Sequence, residues 1–353
     1  MVINVFGIGD VLFSTPLLRN LRNNFPSAKI YYLCNKKTAP LLKSHHLIED
    51  VFVYERDEFA AEWKRSRWAG FKKYIGFINE IRGKKIDASI DLSLNTPFSF
   101  FAWAAGIRNR FGLNYKKRGV FLTKSLEIEG FVDKHVVEYY LDTLKLLGIE
   151  PVLCPTEVYS NPGGEEWAEK FLKDAGGIKD KSVLIGVAPC GGASWGMQSD
   201  SLRWPENKFI ELIDRIGEKN NVTVVLFGSP EESPVCARIE RSVRKPLINA
   251  AGKTSFEQFA SLLKKCSIAV CNDAGPIHVA VASGIKTVCI CGPVDEKVYA
   301  QFRLNGNNLV VKKDISCRPC YNKFRLTFCR QNKRCLTDIS VQEVFDAVNS
   351  LLE

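Results

Sequence analysis

Alternating apolar and polar segments predict strands and helices in turn. The apolar run 2–6 predicts a strand, followed by the turn Gly7-Ile8-Gly9-Asp10 and a helix that ends near residue 24. Further strands are predicted at 29–34, 48–54 and 88–92, with helices around 71–81 and 134–147. This order predicts a parallel sheet covered by helices.

The second half of the chain repeats the pattern. Strands are predicted at 183–188, 222–227, 268–271 and 287–291, with helices at 209–219, 256–264 and 276–282. A stretch rich in proline and glycine, 151–164, separates the halves. We therefore predict an α/β protein with two Rossmann-like, doubly wound parallel-sheet domains facing a central cleft. The predicted boundaries are 1–155, a connection at 156–180, a second domain at 181–335 and a C-terminal helix at 336–353.

Composition supports an ordinary two-domain protein and excludes some classes. The 353 residues are 46% hydrophobic and 25% charged, which argues against disorder and a coiled coil. No apolar run approaches the roughly 20 residues that span a bilayer. The first residues also lack the basic region of a signal peptide. These features predict a cytoplasmic protein.

The net charge of +10 favours an anionic partner, such as nucleic acid, anionic lipid or a phosphorylated sugar. Much of the positive charge falls in the first half, at 64–67, 72–73, 82–85 and 116–118. Each cluster alone is typical of a solvated helix face or loop. Together they predict a basic surface in the N-terminal half.

The opening turn resembles a phosphate-binding loop, but it does not fit a dinucleotide fold. Phe13 stands where the third glycine of that fingerprint belongs, and no acidic residue follows about twenty positions later. A dehydrogenase is therefore not predicted. Asp10 is either a helix cap or a carboxylate placed to act as a general base.

Two further motifs lie in the second half. Asn272-Asp273-Ala274-Gly275-Pro276-Ile277-His278 joins an apolar strand to a helix, whose first N–H groups suit a diphosphate. The motif is equally consistent with Asp273 as a helix-capping residue and His278 as a histidine packed in the core. Ser194-Trp195-Gly196, followed by Arg203-Trp204-Pro205, is either a phosphate loop or a surface loop with an aromatic anchor.

In order along the chain, these motifs resemble the ADP-heptose:lipopolysaccharide heptosyltransferases of glycosyltransferase family nine. The resemblance rests on 9–16, on 193–196 with 203–205, and on 272–278 with 292–295. It implies a GT-B fold, with an acceptor-binding N-terminal domain and a C-terminal domain that binds a nucleotide-sugar. It also implies an inverting transfer of heptose from ADP-heptose to a lipopolysaccharide core or lipid-linked acceptor.

The resemblance further implies roles for individual residues. Asp10 would be the general base, with Gly9 on the acceptor side and basic residues such as Lys64 and Arg67 serving the anionic acceptor or its membrane. Residues expected at the donor are Ser194, Arg203, Glu231 or its neighbour Glu232, Lys253, Thr254, Asp273, Ala274, Gly275 and His278. The family usually has a phosphate-contacting lysine where this chain has Leu202. Arg203 is therefore expected to carry that charge.

Twelve cysteines are many for a cytoplasmic chain, where disulfides are not expected. Cys317, Cys320, Cys329 and Cys335 have the spacing C-x2-C-x8-C-x5-C. Four thiolates could hold a structural Zn or Fe ion, or the group could be structural or redox-labile without metal. Catalysis itself is expected to need no cofactor.

We therefore predict a glycosyltransferase at the inner face of the inner membrane. One alternative is a related transferase that uses another nucleotide-sugar or a protein acceptor. The other is a non-enzymatic nucleic-acid-binding protein, which leaves the glycine turns unexplained, so that no nucleic-acid partner is expected.

Overall fold

The computed structural model of the protein describes residues 1–176, 182–192, 196, 199, 202–219, 221–302 and 306–353. Its contacts divide the chain into two compact units, Met1–Cys154 (unit 1) and Pro155–Glu353 (unit 2). Within the described residues, none of the helices combines the length and the apolar character needed to cross a bilayer.

Unit 1 is built on a six-stranded parallel sheet. Its strands are β1 (Val2–Ile3), β2 (Tyr31–Cys34), β3 (Asp50–Val53), β4 (Ala88–Asp91), β5 (Asn109–Tyr115) and β6 (Lys124–Ile128). Their spatial order is β3-β2-β1-β4-β5-β6, the Rossmann order. The order therefore reverses between β1 and β4, where a crevice for a ligand is expected.

Helices connect the strands of unit 1. They are α1 (Ile8–Phe13), α2 (Thr15–Asn24), α3 (Ala39–Lys43), α4 (Arg56–Arg65), α5 (Arg67–Gly83), α6 (Thr96–Ala104) and α7 (Val136–Asp142), followed by a 3-10 turn at Thr143–Leu147. One aromatic cluster packs under the sheet, with Phe52, Phe59, Phe77 and Phe101 among its buried members. Burial of apolar surface, to which these rings contribute, is the dominant favourable term in folding.

Unit 2 repeats the architecture. Its sheet contains β7 (Val183–Ala188), β8 (Val222–Leu226), β9 (Ile248–Asn249), β10 (Ile268–Asn272), β11 (Lys286–Ile290) and β12 (Asn308–Val311). The spatial order β12-β11-β10-β7-β8-β9 is again the Rossmann order, traced from the opposite edge. Here the reversal falls between β7 and β10.

The helices of unit 2 are α8 (Pro162–Asp174), α9 (Glu206–Gly217), α10 (Ser233–Ser242), α11 (Phe256–Lys264), α12 (Gly275–Ala282), α13 (Glu296–Tyr299), α14 (Arg334–Thr337) and α15 (Val341–Leu352). A 3-10 turn covers Pro230–Glu232, and a small hairpin pairs β13 (Tyr321–Asn322) with β14 (Arg325–Leu326). Helix α9 is amphipathic: Phe209, Leu212, Ile213 and Ile216, at helical spacing, are buried against the sheet.

The predicted α/β class with two doubly wound parallel sheets is confirmed. The predicted connection, 156–180, contains α8, which packs against α11 and groups with unit 2. The predicted C-terminal helix, 336–353, covers the end of α14 and all of α15, which packs against α9 and β11 of the same unit. Strands β5 and β6 and helix α6 were not predicted, because their sequences lack a clear apolar period.

Candidate functional site

The opening turn lies at the carboxyl end of β1, beside the point where the strand order of unit 1 reverses. Asn4 holds it by donating its Nδ2 to the carbonyl of Asp10 (3.1 Å) and accepting the N–H of Phe6 (3.2 Å). Asn35, just past β2, donates to the carbonyls of Val5 (2.9 Å) and Phe6 (2.6 Å). Two asparagine side chains therefore fix the segment that leads to Asp10.

Asp10 is the third residue of α1, whose N-cap is Gly7. It interacts with the backbone N–H of Gly7, as an acid at this helical position does in a capping box. Its residue surface stays partly open to solvent. Dense protein surroundings nevertheless raise the pKa of its carboxyl to about 6, and the backbone amides offset this only in part. A carboxylate of this basicity can accept a proton near neutral pH.

A second carboxylate of unit 1 was missed by the sequence interpretation. Asp91 ends β4, where it pairs with Ile3 of β1, so it lies at the same reversal of strand order. The residue is 4% exposed, and its carboxylate accepts the N–H of Ser93 at 2.8 Å. Burial raises its pKa to about 6. The one indication of Asp91 in the sequence is that it is an acidic residue at the end of an apolar strand.

In unit 2, Asn272 joins the two strands at the reversal. It ends β10 and donates its Nδ2 to the carbonyls of Pro189 (2.7 Å) and Cys190 (3.2 Å), which follow β7. Its Oδ1 accepts the N–H of Trp204 at 2.9 Å. The side chain is 1% exposed. One amide thus ties the loop after β7 and the start of the Trp204 segment to the central strand.

Glu232 and Arg203 fix the same loop from its outer side. The Oε1 of Glu232 accepts the N–H of Gly191 (2.7 Å), and its Oε2 accepts that of Ser229 (2.9 Å). Arg203 donates its Nε and Nη2 to the carbonyl of Gly191, both at 3.1 Å, and lies 3.5 Å from Glu232. The guanidinium expected to bind phosphate therefore shapes the loop. Leu202, at the position of the missing lysine, is 2% exposed and belongs to the core.

Helix α12 begins against this loop. Gly191 has φ +98°, and a Cβ there would lie 2.7 Å from the Cβ of Ala274, the N-cap of α12. Only glycine therefore allows this approach. No side chain among the described residues caps α12, which leaves its first N–H groups suited to an anion.

Asp273 and His278 lie together at this helix start, with 3.9 Å between Asp273 Oδ1 and His278 Nε2. Both are largely buried. The thiol of Cys291 lies 3.8 Å from Asp273 Oδ2. Burial raises the pKa of Asp273 to about 7, so its carboxyl is poised between its two protonation states at neutral pH.

Glu231, Lys253 and Thr254 occupy loops at the same carboxyl edge of the sheet. Glu231 is exposed on the turn after β8, whereas its neighbour Glu232 faces the Gly191 loop. Lys253 and Thr254 precede α11, and Lys253 Nζ donates to the carbonyl of Asn249 at 2.8 Å. Ser194 lies outside the described residues. Lys64 and Arg67 lie at the exposed junction of α4 and α5.

The sequence pattern of Glycosyltransferase family 9 (heptosyltransferase) matches residues 75–327. The chain is 24% identical to lipopolysaccharide heptosyltransferase 3 of Escherichia coli strain K12, over 98% of this chain and 95% of that one. It is equally identical, at 24%, to lipopolysaccharide heptosyltransferase 2 of that strain, over 100% of this chain and 98% of the relative. A family 9 glycosyltransferase structure from Veillonella parvula has a TM-score of 0.86 at 23% identity, covering 99% and 96% of the two chains.

The chain belongs to glycosyltransferase family 9. The family pattern covers well over half of its residues, and the Veillonella structure shares its fold. The predicted family and the predicted enzyme class, a glycosyltransferase, are therefore confirmed.

In this family 9 chain, the cysteine-rich segment contributes an arginine to the candidate site of unit 2. Arg318 donates to the carbonyls of Gly292 (2.6 Å), Val294 (3.0 Å) and Lys313 (3.1 Å). Its Nη2 also lies 3.5 Å from the thiol of Cys291 and 3.2 Å from Glu296. The side chain is 7% exposed. Arg318 therefore holds the loop after β11 beside Asp273, a role that its sequence position gave no reason to expect.

The cysteines of this segment differ in their surroundings. Cys317 is exposed, Cys320 and Cys329 are partly buried, and Cys335 is buried, which raises the pKa of its thiol to about 11. Among the residues that the structure describes, no group of three or more His, Cys, Asp or Glu side chains is arranged to hold a metal ion. Cys320 and Cys335 nevertheless interact electrostatically with the other cysteines of the segment, so the four side chains lie near one another. Metal binding by this group stays a prediction.

Proposed function

We propose that this glycosyltransferase moves a heptose from ADP-heptose to a lipopolysaccharide core or related acceptor, with inversion at the anomeric carbon and Asp10 as general base. The relatives named above are lipopolysaccharide heptosyltransferases, and this supports the choice of sugar and acceptor class. The observation that carries the proposed mechanism is the place of Asp10 in the first turn of α1, at the strand reversal of unit 1, where its surroundings raise the pKa of the carboxyl to about 6.

In this mechanism, Asp10 takes the proton of the acceptor hydroxyl. The hydroxyl oxygen forms a bond to the anomeric carbon while the bond from that carbon to the diphosphate breaks, so the configuration inverts and ADP leaves. A carboxylate with a pKa near 6 is mostly ionised at pH 7, and it is more basic than an ordinary aspartate. Gly9, in the same turn, leaves the approach to Asp10 free of a side chain.

The donor is proposed to bind at the strand reversal of unit 2. The first N–H groups of α12, with Ala274, Gly275 and His278, would neutralise the diphosphate, and no metal ion or other cofactor is required. Asp273 would contact the donor beside His278. Arg203 would act through the Gly191 loop, while Ser194, Glu231, Lys253 and Thr254 are proposed to contact the phosphate, ribose and adenine.

The acceptor is proposed to be lipid-linked, so the enzyme would work as a peripheral protein at the inner face of the inner membrane. Lys64 and Arg67 would serve the anionic acceptor or that membrane. This placement follows from the chemistry of the acceptor class and from the excess of basic residues in the first half of the chain.

The test is ADP release from ADP-heptose, with a heptose-free lipopolysaccharide core as acceptor. We expect acceptor-dependent release that is lost in Asp10→Ala, while the variant still binds ADP-heptose. Binding without release on any core acceptor would reject the acceptor class. Release from a different nucleotide-sugar, but not from ADP-heptose, would reject the donor.

A further inference from the structure

Helix α5 exposes an apolar stripe that the fold does not use. Trp68 is 78% exposed, Phe71 51% and Ile75 39%. Their spacing of three and four residues places them on one side of the helix. With Ala69 and Lys72, they line a shallow depression on the surface. Contiguous exposed aromatic surface of this kind marks an interaction site rather than a stray hydrophobic residue.

The stripe is additional to the core face of the same helix. Phe77, Ile78 and Ile81 are buried beneath α5. The ring of Tyr74 lies 4.9 Å from that of Phe59, which α4 contributes. Helix α5 therefore already has the apolar contacts that hold it in unit 1. Trp68, Phe71 and Ile75 are left facing outward.

The stripe is also displayed on a firmly packed hairpin of α4 and α5. A Cβ at Gly70 would lie 2.6 Å from the indole of Trp63, so only glycine lets the two helices approach this closely. The indole covers the start of α5, while its own outer edge stays exposed. The surface is therefore preformed and does not depend on a folding step.

Positive charge surrounds the stripe. Residues 62–73 include five basic residues and one acidic residue. Arg65 pairs with Glu62 and Lys73 with Glu58, each at 3.6 Å. Lys64, Arg67 and Lys72 have no ion-pair partner in the part of the chain that the structure describes. Three uncompensated cations therefore border the exposed rings.

We propose that this α4–α5 surface docks on an anionic phospholipid bilayer. Trp68, Phe71 and Ile75 enter the headgroup region, where an indole and other apolar side chains are stable, and Lys64, Arg67 and Lys72 pair with lipid phosphates. An aliphatic side chain in line with the rings favours lipid over nucleic acid, because Ile75 offers no face for stacking a base. The inference locates the membrane association of the proposed function, but it does not depend on the transfer reaction.

The test is co-flotation of the full chain with vesicles of phosphatidylcholine, with and without phosphatidylglycerol, at increasing salt. We expect binding only to the vesicles with phosphatidylglycerol, and release by salt. Lys64→Gln, Arg67→Gln and Lys72→Gln together should weaken binding about a hundredfold, roughly fivefold for each charge. Trp68→Ser with Phe71→Ser should abolish binding at the same net charge. Trp68→Phe should retain it.

Matched variants make the outcome decisive. Lys124→Gln, Lys170→Gln and Lys173→Gln remove the same charge from exposed positions elsewhere and should bind like the wild type. Phe328→Ser removes a ring that is 88% exposed in unit 2 and should also have no effect. The proposal is overturned if these controls lose binding as strongly, or if the Trp68 and Phe71 variant still binds. It is equally overturned if the stripe holds a dimer or a nucleic acid while vesicles are ignored. Because the flotation assay contains neither donor nor acceptor, a negative result would reject the docking surface without bearing on the proposed transfer reaction.

Discussion

The two units share one strand order but differ in what they place where that order reverses. In unit 1, Asp10 and Asp91 lie at the reversal, and burial raises the pKa of each carboxyl to about 6. Unit 2 also has a carboxyl with a raised pKa, Asp273 at about 7, but most polar side chains at its reversal hold a loop: Asn272 binds the loop after β7, while Glu232 and Arg203 fix it from outside. A carboxylate with few partners can change protonation, whereas a satisfied network keeps a binding surface in one shape. The comparison predicts that changes in unit 1 alter rate and pH dependence, and that changes in unit 2 alter stability and donor affinity.

The largest effect is expected from Asp10→Asn. Loss of a general base lowers the transfer rate by about 1,000-fold, within the usual range for this role. ADP affinity should not change, because the proposed donor residues belong to unit 2. In the wild type, kcat/KM should fall about tenfold per pH unit below pH 6, as the carboxylate is protonated. Steady-state rates from pH 5 to 8 and calorimetric ADP binding measure both.

Asp50→Asn provides the control for this prediction. Asp50 is an exposed carboxylate of unit 1 that pairs with Lys84 at 2.7 Å, away from the strand reversal. Its replacement should leave both kcat/KM and the pH profile unchanged. A wild-type pH profile retained by Asp10→Asn would rule out Asp10 as the titrating base.

A smaller effect, on stability and ADP affinity and not on the transfer rate, is expected from Arg318→Met in unit 2. The change removes the hydrogen bonds that Arg318 donates to the carbonyls of Gly292 and Val294, and it leaves Glu296 paired with Lys312. Loss of a buried ion-pair partner should lower the free energy of unfolding by about 3 kcal/mol. ADP affinity should fall as well, because the loop borders Asp273. Scanning calorimetry and ADP titration measure the two effects.

Arg238→Met is the matched variant, since Arg238 is half-exposed and pairs with Glu206 at 2.8 Å on the surface. Its replacement should lower the free energy of unfolding far less than Arg318→Met does and should leave ADP binding intact. Equal unfolding midpoints for the two arginine variants would show that Arg318 does not stabilise this loop.

A third variant, Asn272→Ala, tests the hydrogen bonds that hold the loop after β7. Asn272→Ala leaves the carbonyls of Pro189 and Cys190 and the N–H of Trp204 without their amide partner. Buried polar groups left unpaired should lower the free energy of unfolding by about 2 kcal/mol. Asn24→Ala, which removes an exposed amide that donates to the carbonyl of Asn20, should cost far less. An Asn272→Ala protein as stable as this control would contradict the network interpretation.

Local pattern was enough to predict the architecture but not these contacts. Strand Val183–Ala188 and helix Phe256–Lys264 were predicted with their observed bounds, because each is an apolar or amphipathic run with clear breaks on both sides. Helix α6 escaped prediction because Phe98, Phe100, Phe101 and Trp103 leave it apolar on nearly all sides, with no helical period. Its type was decided by packing within unit 1.

In the candidate site, too, local pattern predicted the position of the loops but not the contacts of their side chains. The loops that carry Asp10 and Asp273 could be placed at strand ends, because a strand, a turn with glycine and a helix follow one another in the sequence. The partners of Arg318 could not be inferred, since Cys291 and Glu296 lie 27 and 22 residues away along the chain. Glu231 and Glu232 are adjacent, and only the fold determines that Glu232 faces Gly191.

The smallest effect is expected from Asp91→Asn, and its sign is positive. The pKa of Asp91 is about 6 in the folded protein and about 3.8 for an ordinary aspartate, so the folded state binds the proton more tightly. The ionised carboxylate therefore costs nothing below pH 4, and its full cost is present above pH 6. The amide is never charged but accepts the N–H of Ser93 more weakly, so Asp91→Asn should recover only about 1 kcal/mol of the roughly 3 kcal/mol that the pKa difference corresponds to at pH 8, and should change stability little at pH 4. Asp50→Asn should lower the free energy of unfolding at pH 8, because Lys84 lowers the pKa of Asp50.

Calorimetry at both pH values checks the signs of the two changes. A loss of stability of Asp91→Asn at pH 8 would contradict the raised pKa of Asp91. If the stabilised Asp91→Asn protein also keeps its transfer rate, Asp10 alone supplies the base; if the rate collapses, unit 1 works with two carboxylates.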